Sequence, residues 1–412
     1  MCIIIEKHVH DNIFFKYVMP LCESTNMRLT DVTRLWIATF LIYAASGSVF
    51  PIFSIYMSYR GLSPYHIGLV VSMATLSSII PIILIGHFSD IMNREMVQSV
   101  LGTCLAFLMP IYRHLNSLLP FIIIHSMYTM LSYSYMTLSS AVAMDYIRTS
   151  RGSGFGRFRT SGALGWMLGT FLCGWIVENL GFSKVFLVSS IFFLLSAFLF
   201  MLGGLRKVGL RPLKTDSYVM HITAFRNVIT NRAIYPLLTS IFIASLTVPA
   251  YYTFLPLYMT EKLKASRLLS SLAFTITPVA EIPAMMYIGA LSDRVDRRKV
   301  IVLCLGAYPV RYLLTVFVRD PILVVLVQLL HGLTFGGLYV VSTAYISDSV
   351  PEDMKGLALS LYTIFTNLGS FIGNYMMGSI VRSYGFVVMY FMAAFISSIS
   401  IPTLVMFSSR HR

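Results

Sequence analysis

The sequence predicts an all-α membrane protein of twelve transmembrane helices, arranged as two pseudo-symmetric six-helix bundles. Three observations carry that prediction. Hydrophobic residues make up 57% of the chain and charged ones only 12%, with a mean hydropathy of +0.76; in a soluble domain about a quarter of residues are charged. The apolar residues gather into twelve runs, each long enough to cross a bilayer as a helix. The two halves of the chain also resemble each other at a nearly constant offset.

Taken in order, residues 1–30 are the least apolar part, with Glu6 and Asp11 following the short run Ile3–Ile5. They lack the basic start and long apolar core of a signal peptide and read as a cytoplasmic tail, with Met27 as an alternative start. Runs at roughly 35–56, 66–88, 96–112, 119–144, 160–180 and 183–204 build an N-terminal bundle within 31–204. The stretch 205–232 is the one long polar connection, a cytoplasmic linker. Runs at roughly 233–258, 268–291, 300–318, 321–347, 356–381 and 385–407 build a C-terminal bundle within 233–412. Breakers such as Gly61-Leu-Ser-Pro64 and Asp320-Pro321 separate neighbouring runs.

The repeat shows in particular residues. Tyr56-Met57 pairs with Tyr258-Met259, and Pro81 with Pro283, at an offset of 202. Gly86, Asp90 and Arg94 pair with Gly289, Asp293 and Arg297 at 203, as Asp145 does with Asp348. GWIVENLGF (174–182) and GSIVRSYGF (378–386) share five positions at 204. A shared offset over so many pairs is not easily accidental.

The net charge of +14 invites a nucleic-acid reading, but the distribution of basic residues answers it. Of the 31 lysines and arginines, 22 lie in the termini and loops of one side and 8 on the other, with Arg311 inside a run. This is positive-inside asymmetry, with both termini cytoplasmic in a cell membrane. The five cysteines show no CxxC pair and no zinc spacing. Neither metal, cofactor nor nucleic acid is expected, and the chain is expected to act as a monomer.

Against this apolar background, Glu281, Arg311 and His331 stand near the middles of three successive runs. An ionised side chain at the bilayer centre costs about 2.5–3.5 kcal/mol on insertion scales. The three should therefore face each other or a wet cavity. For Glu281, desolvation favours the neutral form and a nearby cation such as Arg311 the charged one, so its protonation should respond to substrate and conformation. A structural Glu–Arg pair is the plainer alternative. His331 has a plain alternative too, a hydrogen bond to Gln328. His125 reads as structural, while Tyr128, Tyr133, Tyr135, Asn367 and Asn374 are candidate cavity-lining residues.

Twelve runs, the repeat and one loop motif together resemble the major facilitator superfamily. Its loop signature, Gly-x-x-x-Asp followed by basic residues, is nearly complete in Gly289-Ala-Leu-Ser-Asp293-Arg294-Val-Asp-Arg297-Arg298 and degraded in Gly86-His-Phe-Ser-Asp90-Ile-Met-Asn-Arg94. A carboxylate at a helix end can latch to arginines across the bundle interface, which gives Asp90, Arg94, Asp293, Arg297 and Arg298 a gating role. A cytoplasmic anchor is the plain reading of the same residues.

Within that superfamily, GFGRFRTSGALGW (154–166) is similar to the fifth-helix entry of the lactose permease group of sugar–proton symporters. The resemblance implies that Arg159 donates to sugar hydroxyls, that Trp166 stacks on the ring, and that Asp145 partners the arginine. It also implies that Glu281, Arg311 and His331 carry the proton, the last two having the group's spacing. Two departures matter. Thr334 stands where that group has its coupling glutamate, and Asn367 stands where it has the lysine of an interhelical ion pair. Either Glu281 carries the proton with His331, or transport is uncoupled.

The expectation is therefore a secondary transporter importing a small polar solute, a sugar or nucleoside, with a proton. The competing readings are a proton-antiport exporter of hydrophobic or cationic compounds, and a non-transporting receptor or membrane enzyme. No nucleophile triad, metal spacing or phosphate loop supports an enzyme.

Overall fold

A computed structural model describes residues 29–79, 93–146, 151–204 and 228–409. Among them every regular element is helical, and nine helical stretches are long and apolar enough to cross a membrane. A chain that must satisfy its backbone away from water has little other choice. The first half comprises α1 (Leu29–Val49), α2 (Phe53–Tyr59), α3 (Pro64–Ser77), α4 (Arg94–Leu108), α5 (Leu118–Tyr146), α6 (Arg151–Leu180) and α7 (Phe182–Gly204). The second half begins with α8 (Ile234–Ser245), α9 (Pro249–Tyr252), α10 (Leu255–Leu257), α11 (Arg267–Thr275) and α12 (Thr277–Arg294). It continues through α13 (Arg297–Phe317), α14 (Pro321–Val327), α15 (Leu338–Ser349) and α16 (Lys355–Ser409).

Prolines account for several breaks. Pro51, Pro249, Pro256 and Pro278 each sit in the first turn of a new segment, where a missing N–H costs nothing. Polar caps start others. Ser63 accepts from the His66 amide, Asn93 from Glu95, Ser266 from Leu269 and Asp320 from Ile322.

The sequence repeat reappears in the backbone. Gly181 (φ 82°) and Gly385 (φ 83°), 204 residues apart, both take a left-handed conformation at the ends of their shared motif. Gly385 thereby interrupts α16, with ψ 173°. Gly61 (φ 86°) and Lys264 (φ 56°), 203 apart, do the same before the capping serines Ser63 and Ser266. A lysine there costs roughly 1–2 kcal/mol that the equivalent glycine avoids.

In the first half α1 packs on α6 and α7, and α4 on α5 and α7; in the second, α8 and α13 pack on α16. Gly165 lets α6 approach α1 closely, since a Cβ there would overlap the Phe40 carbonyl. The halves meet where α3 packs on α16 and α6 on α11. Large apolar side chains such as Phe107, Tyr287 and Phe395 point outward, as lipid contact requires. Serines and threonines turn inward, many returning their hydroxyl to a carbonyl one turn back. Near the start of α1, Arg34 pairs with Glu95 of α4 at 2.7 Å and also donates to the Leu199 carbonyl of α7.

Candidate functional site

Arg159 and Trp166 are seven residues apart on α6, about two helical turns, and so share one face. Opposite Arg159 lies Glu281 of α12, with Nη2 to Oε1 at 3.9 Å. The Arg159 side chain is 49% exposed and that of Glu281 19%, so the contact is loose and open to water. An ion pair of this kind contributes little stability, about 0–1 kcal/mol, and is correspondingly easy to break. Tyr43 of α1 comes within electrostatic reach of both charges.

Arg311 takes a different partner set from the expected one. Its guanidinium does not reach Glu281. It donates from Nε and Nη2 to Gln328 Oε1 at 3.1 and 2.7 Å, and from Nη1 to Thr334 Oγ1 at 2.9 Å. Nη1 also stands 3.2 Å from His331 Nδ1, and the whole group lies 3.8 Å above the centroid of the Tyr251 ring. Both Arg311 and His331 are buried. The reason is local. Gln328, His331 and Thr334 recur every three residues, and a 3-10 turn at Gln328–Leu330 followed by the glycine-rich π-helical turn Gly332–Gly337 turns all three toward α13. Gln328 therefore serves Arg311 rather than His331. Among the described residues no carboxylate pairs with Arg311, so its charge is held in a cage of neutral acceptors and one ring.

Aromatic rings join the two clusters. Phe50 packs against Trp166 at 5.2 Å and against Tyr252 and Phe274 at 5.6 and 5.7 Å. Tyr251 packs on Tyr252, Phe274 and His331 at 4.7, 5.1 and 5.2 Å. The rings thus run from Trp166 in the first half to His331 in the second.

The remaining candidate positions divide. Arg297 contacts Asp293 at 3.3 Å and Asp348 at 2.8 Å, and Arg298 donates to Tyr345 Oη at 3.0 Å. Among the described residues these ties lie within the second half. The short α12–α13 turn puts Arg297 one turn from Asp293. It also sets it beside Asp348, a carboxylate at the unfavourable C-terminal end of α15. Asp90 lies outside the described residues, as does the side chain of Asp145 in α5; Arg94 opens α4. His125 bonds to Tyr112 Oη at 2.9 Å and packs on Phe53. Tyr135 is buried on Ser196, Tyr128 is buried against Phe53, and Asn374 accepts from Thr253 at 2.7 Å. The side-chain partners of these three lie in their own halves, while the backbone of Asn374 lies against Gly68 of the first half. Tyr43 and Tyr251 were not singled out in sequence, because an aromatic in an apolar run carries no mark of its neighbours. Among the described residues no group of three His, Cys, Asp or Glu could hold a metal.

A family model described as "MFS_1 like family" matches residues 32–393. The chain belongs to that family. It is a multi-pass membrane transporter of the major facilitator type, not an enzyme. It is similar to the multidrug resistance protein MdtG of Salmonella choleraesuis (strain SC-B67), 24% identical over 375 residues, 86% of this chain and 90% of that one. Among solved structures, a mutant form of the nucleoside transporter NupG superposes with a TM-score of 0.77 at 17% identity, covering 92% of this chain and 99% of the other. A peptide-bound POT family transporter gives 0.74 at 13%, covering 92% and 96%. At these identities the superpositions establish the shared fold alone.

Proposed function

We propose that this chain carries a small polar solute, a sugar or a nucleoside, across the membrane by alternating access and together with a proton. Its twelve spans form two six-helix bundles, 31–204 and 233–412, joined by a cytoplasmic linker, with both termini cytoplasmic. The observation that carries the reading is the Arg159–Glu281 contact, a loose ion pair made between the two halves. Protonation of Glu281 abolishes the pair and frees the Arg159 guanidinium for solute hydroxyls. Rocking of the halves separates the two residues altogether. Solute and proton thereby act on one contact, which is what coupling needs. Trp166 and Phe50 beside it offer ring faces for a flat polar solute.

Charge supports a neutral or anionic solute over a cationic one. Among the described residues the site holds two guanidinium groups and one carboxylate, and Arg311 is met by Gln328, Thr334 and His331 instead of an acid. This arrangement is similar to that of the lactose permease group in Arg159 and Trp166, and departs from it at Thr334. A second reading, proton-driven export of hydrophobic compounds, draws on the similarity to MdtG and on the same aromatic rings.

The test is proton movement in proteoliposomes with an internal pH dye. Sugars, nucleosides and cationic dyes are added in turn. Internal acidification on adding a sugar or nucleoside supports the symport reading. Alkalinisation of acid-loaded vesicles by a cationic dye, with none by sugars or nucleosides, overturns it in favour of export.

A further inference from the structure

Alternating access requires one face to shut while the other opens, and at the helix ends remote from both termini the two halves are tied together. Ser58 Oγ of the first half donates to Glu261 Oε1 of the second at 2.6 Å. Glu178, near the end of α6, accepts at Oε2 from the backbone N–H of Arg267 at 2.9 Å. Arg267 is the first residue of α11, directly after the capping Ser266. Its guanidinium lies 4.9 Å from the Phe182 ring of the first half. A polar cavity of about 530 Å³, lined in part by Ser58, Glu178, Glu261 and Arg267, keeps these groups in contact with water.

The equivalent edge is built differently. Position 64, which matches Arg267, is a proline without an N–H to offer, and position 382, which matches Glu178, is an arginine. Arg382 lies 5.5 Å from the Tyr65 ring, and Tyr65 packs on Tyr375 at 5.5 Å. A cation gains nothing at a helix N-terminus, so this edge closes on ring contacts. Among the described residues the carboxylate-to-helix tie is made on one edge and not on its equivalent.

We propose that Glu178 is a gate latch: its carboxylate, docked on the N-terminus of α11, holds this face shut and releases when the face opens. The contact suits that task. It joins the two halves, its side chain is exposed, and it combines a charged acceptor with the positive end of a helix. Such ties are strong enough to bias two states and weak enough to break in each cycle. The inference rests on the alternating-access reading above but not on the identity of the solute.

The experiment places spin labels at Ser117→Cys and Arg319→Cys, exposed positions on this face in opposite halves, in a full-length chain with its native cysteines replaced. Pulsed dipolar spectroscopy in liposomes then reads the short (shut) and long (open) distances. Glu178→Gln should raise the open-to-shut ratio about two- to fivefold. Arg267→Pro removes the N–H at a position where proline preserves the helix, and should do the same. Arg267→Ala, which keeps the N–H, separates that effect from loss of the guanidinium and should move the ratio less. Two populations unmoved by Glu178→Gln, or an Arg267→Pro variant indistinguishable from Arg267→Ala, overturn the latch alone. A single distance under every condition, solute included, overturns alternating access and the latch with it.

Discussion

Arg311 donates to the hydroxyl of Thr334 at 2.9 Å, so the residue at the position where the resemblance places an acid serves here as a neutral acceptor. A buried guanidinium costs heavily unless its donors are satisfied. Thr334, Gln328 and His331 do this together, and the Tyr251 ring covers one face. Removing one acceptor should therefore be felt as stability. Thr334→Val is nearly isosteric and leaves one donor unmet, an expected loss of about 1–3 kcal/mol. Gln328→Leu, which removes the acceptor of two donors, should cost more. Thermal unfolding in detergent ranks the two variants, and equal midpoints for Gln328→Leu and the parent would contradict the cage.

Glu281→Gln should uncouple. The amide keeps the size of the side chain but cannot release a proton, and it ends the ion pair with Arg159. Internal pH recorded during solute uptake should show no proton movement, while solute binding by the purified protein persists. Full proton-coupled uptake by this variant would remove Glu281 from the mechanism.

Arg159→Ala should weaken solute affinity by about 10- to 100-fold, the worth of a hydrogen bond from a charged donor. Arg159→Lys should recover only part of that, because a single ammonium cannot reproduce the guanidinium fork. Equilibrium binding by tryptophan fluorescence, with Trp166 beside the site, provides the readout. Unchanged affinity in both variants would end the hydroxyl-binding assignment.

Stability away from the site should rest in part on Arg34 and Glu95, a part-buried pair at 2.7 Å. Gly203 of α7 lies against both side chains, so that a Cβ there would overlap them. Glu95→Ala removes a carboxylate that accepts twice from Arg34 and should lower the thermal unfolding midpoint in detergent. Gly203→Ala should lower the unfolding midpoint by pushing the pair apart, without altering proton movement per solute in the protein that remains folded.

Much of the architecture could be read from the chain. The apolar runs anticipate the helices because a backbone in hydrocarbon must bond to itself. The repeat anticipates Gly181 with Gly385, since each motif ends in a glycine that can take a positive φ. The site was legible only as a set of residue types. Glu281, Arg311 and His331 stand out by charge in apolar surroundings, and Arg159 with Trp166 by spacing. Their pairings were not legible. Glu281 meets Arg159 from the other half, and Arg311 meets the three-residue period Gln328, His331, Thr334. That period was present in the sequence and marks one helix face, but a face has no partner until two helices are set side by side.

The chain by itself determined that this protein lives in a membrane, that its polypeptide repeats, and which few residues carry a charge among lipids. Hydropathy and periodicity are local properties, and the bilayer acts on each segment separately. Only the tertiary structure decided which charges meet. It brought Arg159 to Glu281, confined Arg297 to Asp293 and Asp348, and left the Glu178 carboxylate on the N-terminus of α11. Those choices follow from how helices far apart in sequence are packed, and a contact of a few ångströms depends on rotations that no single segment encodes.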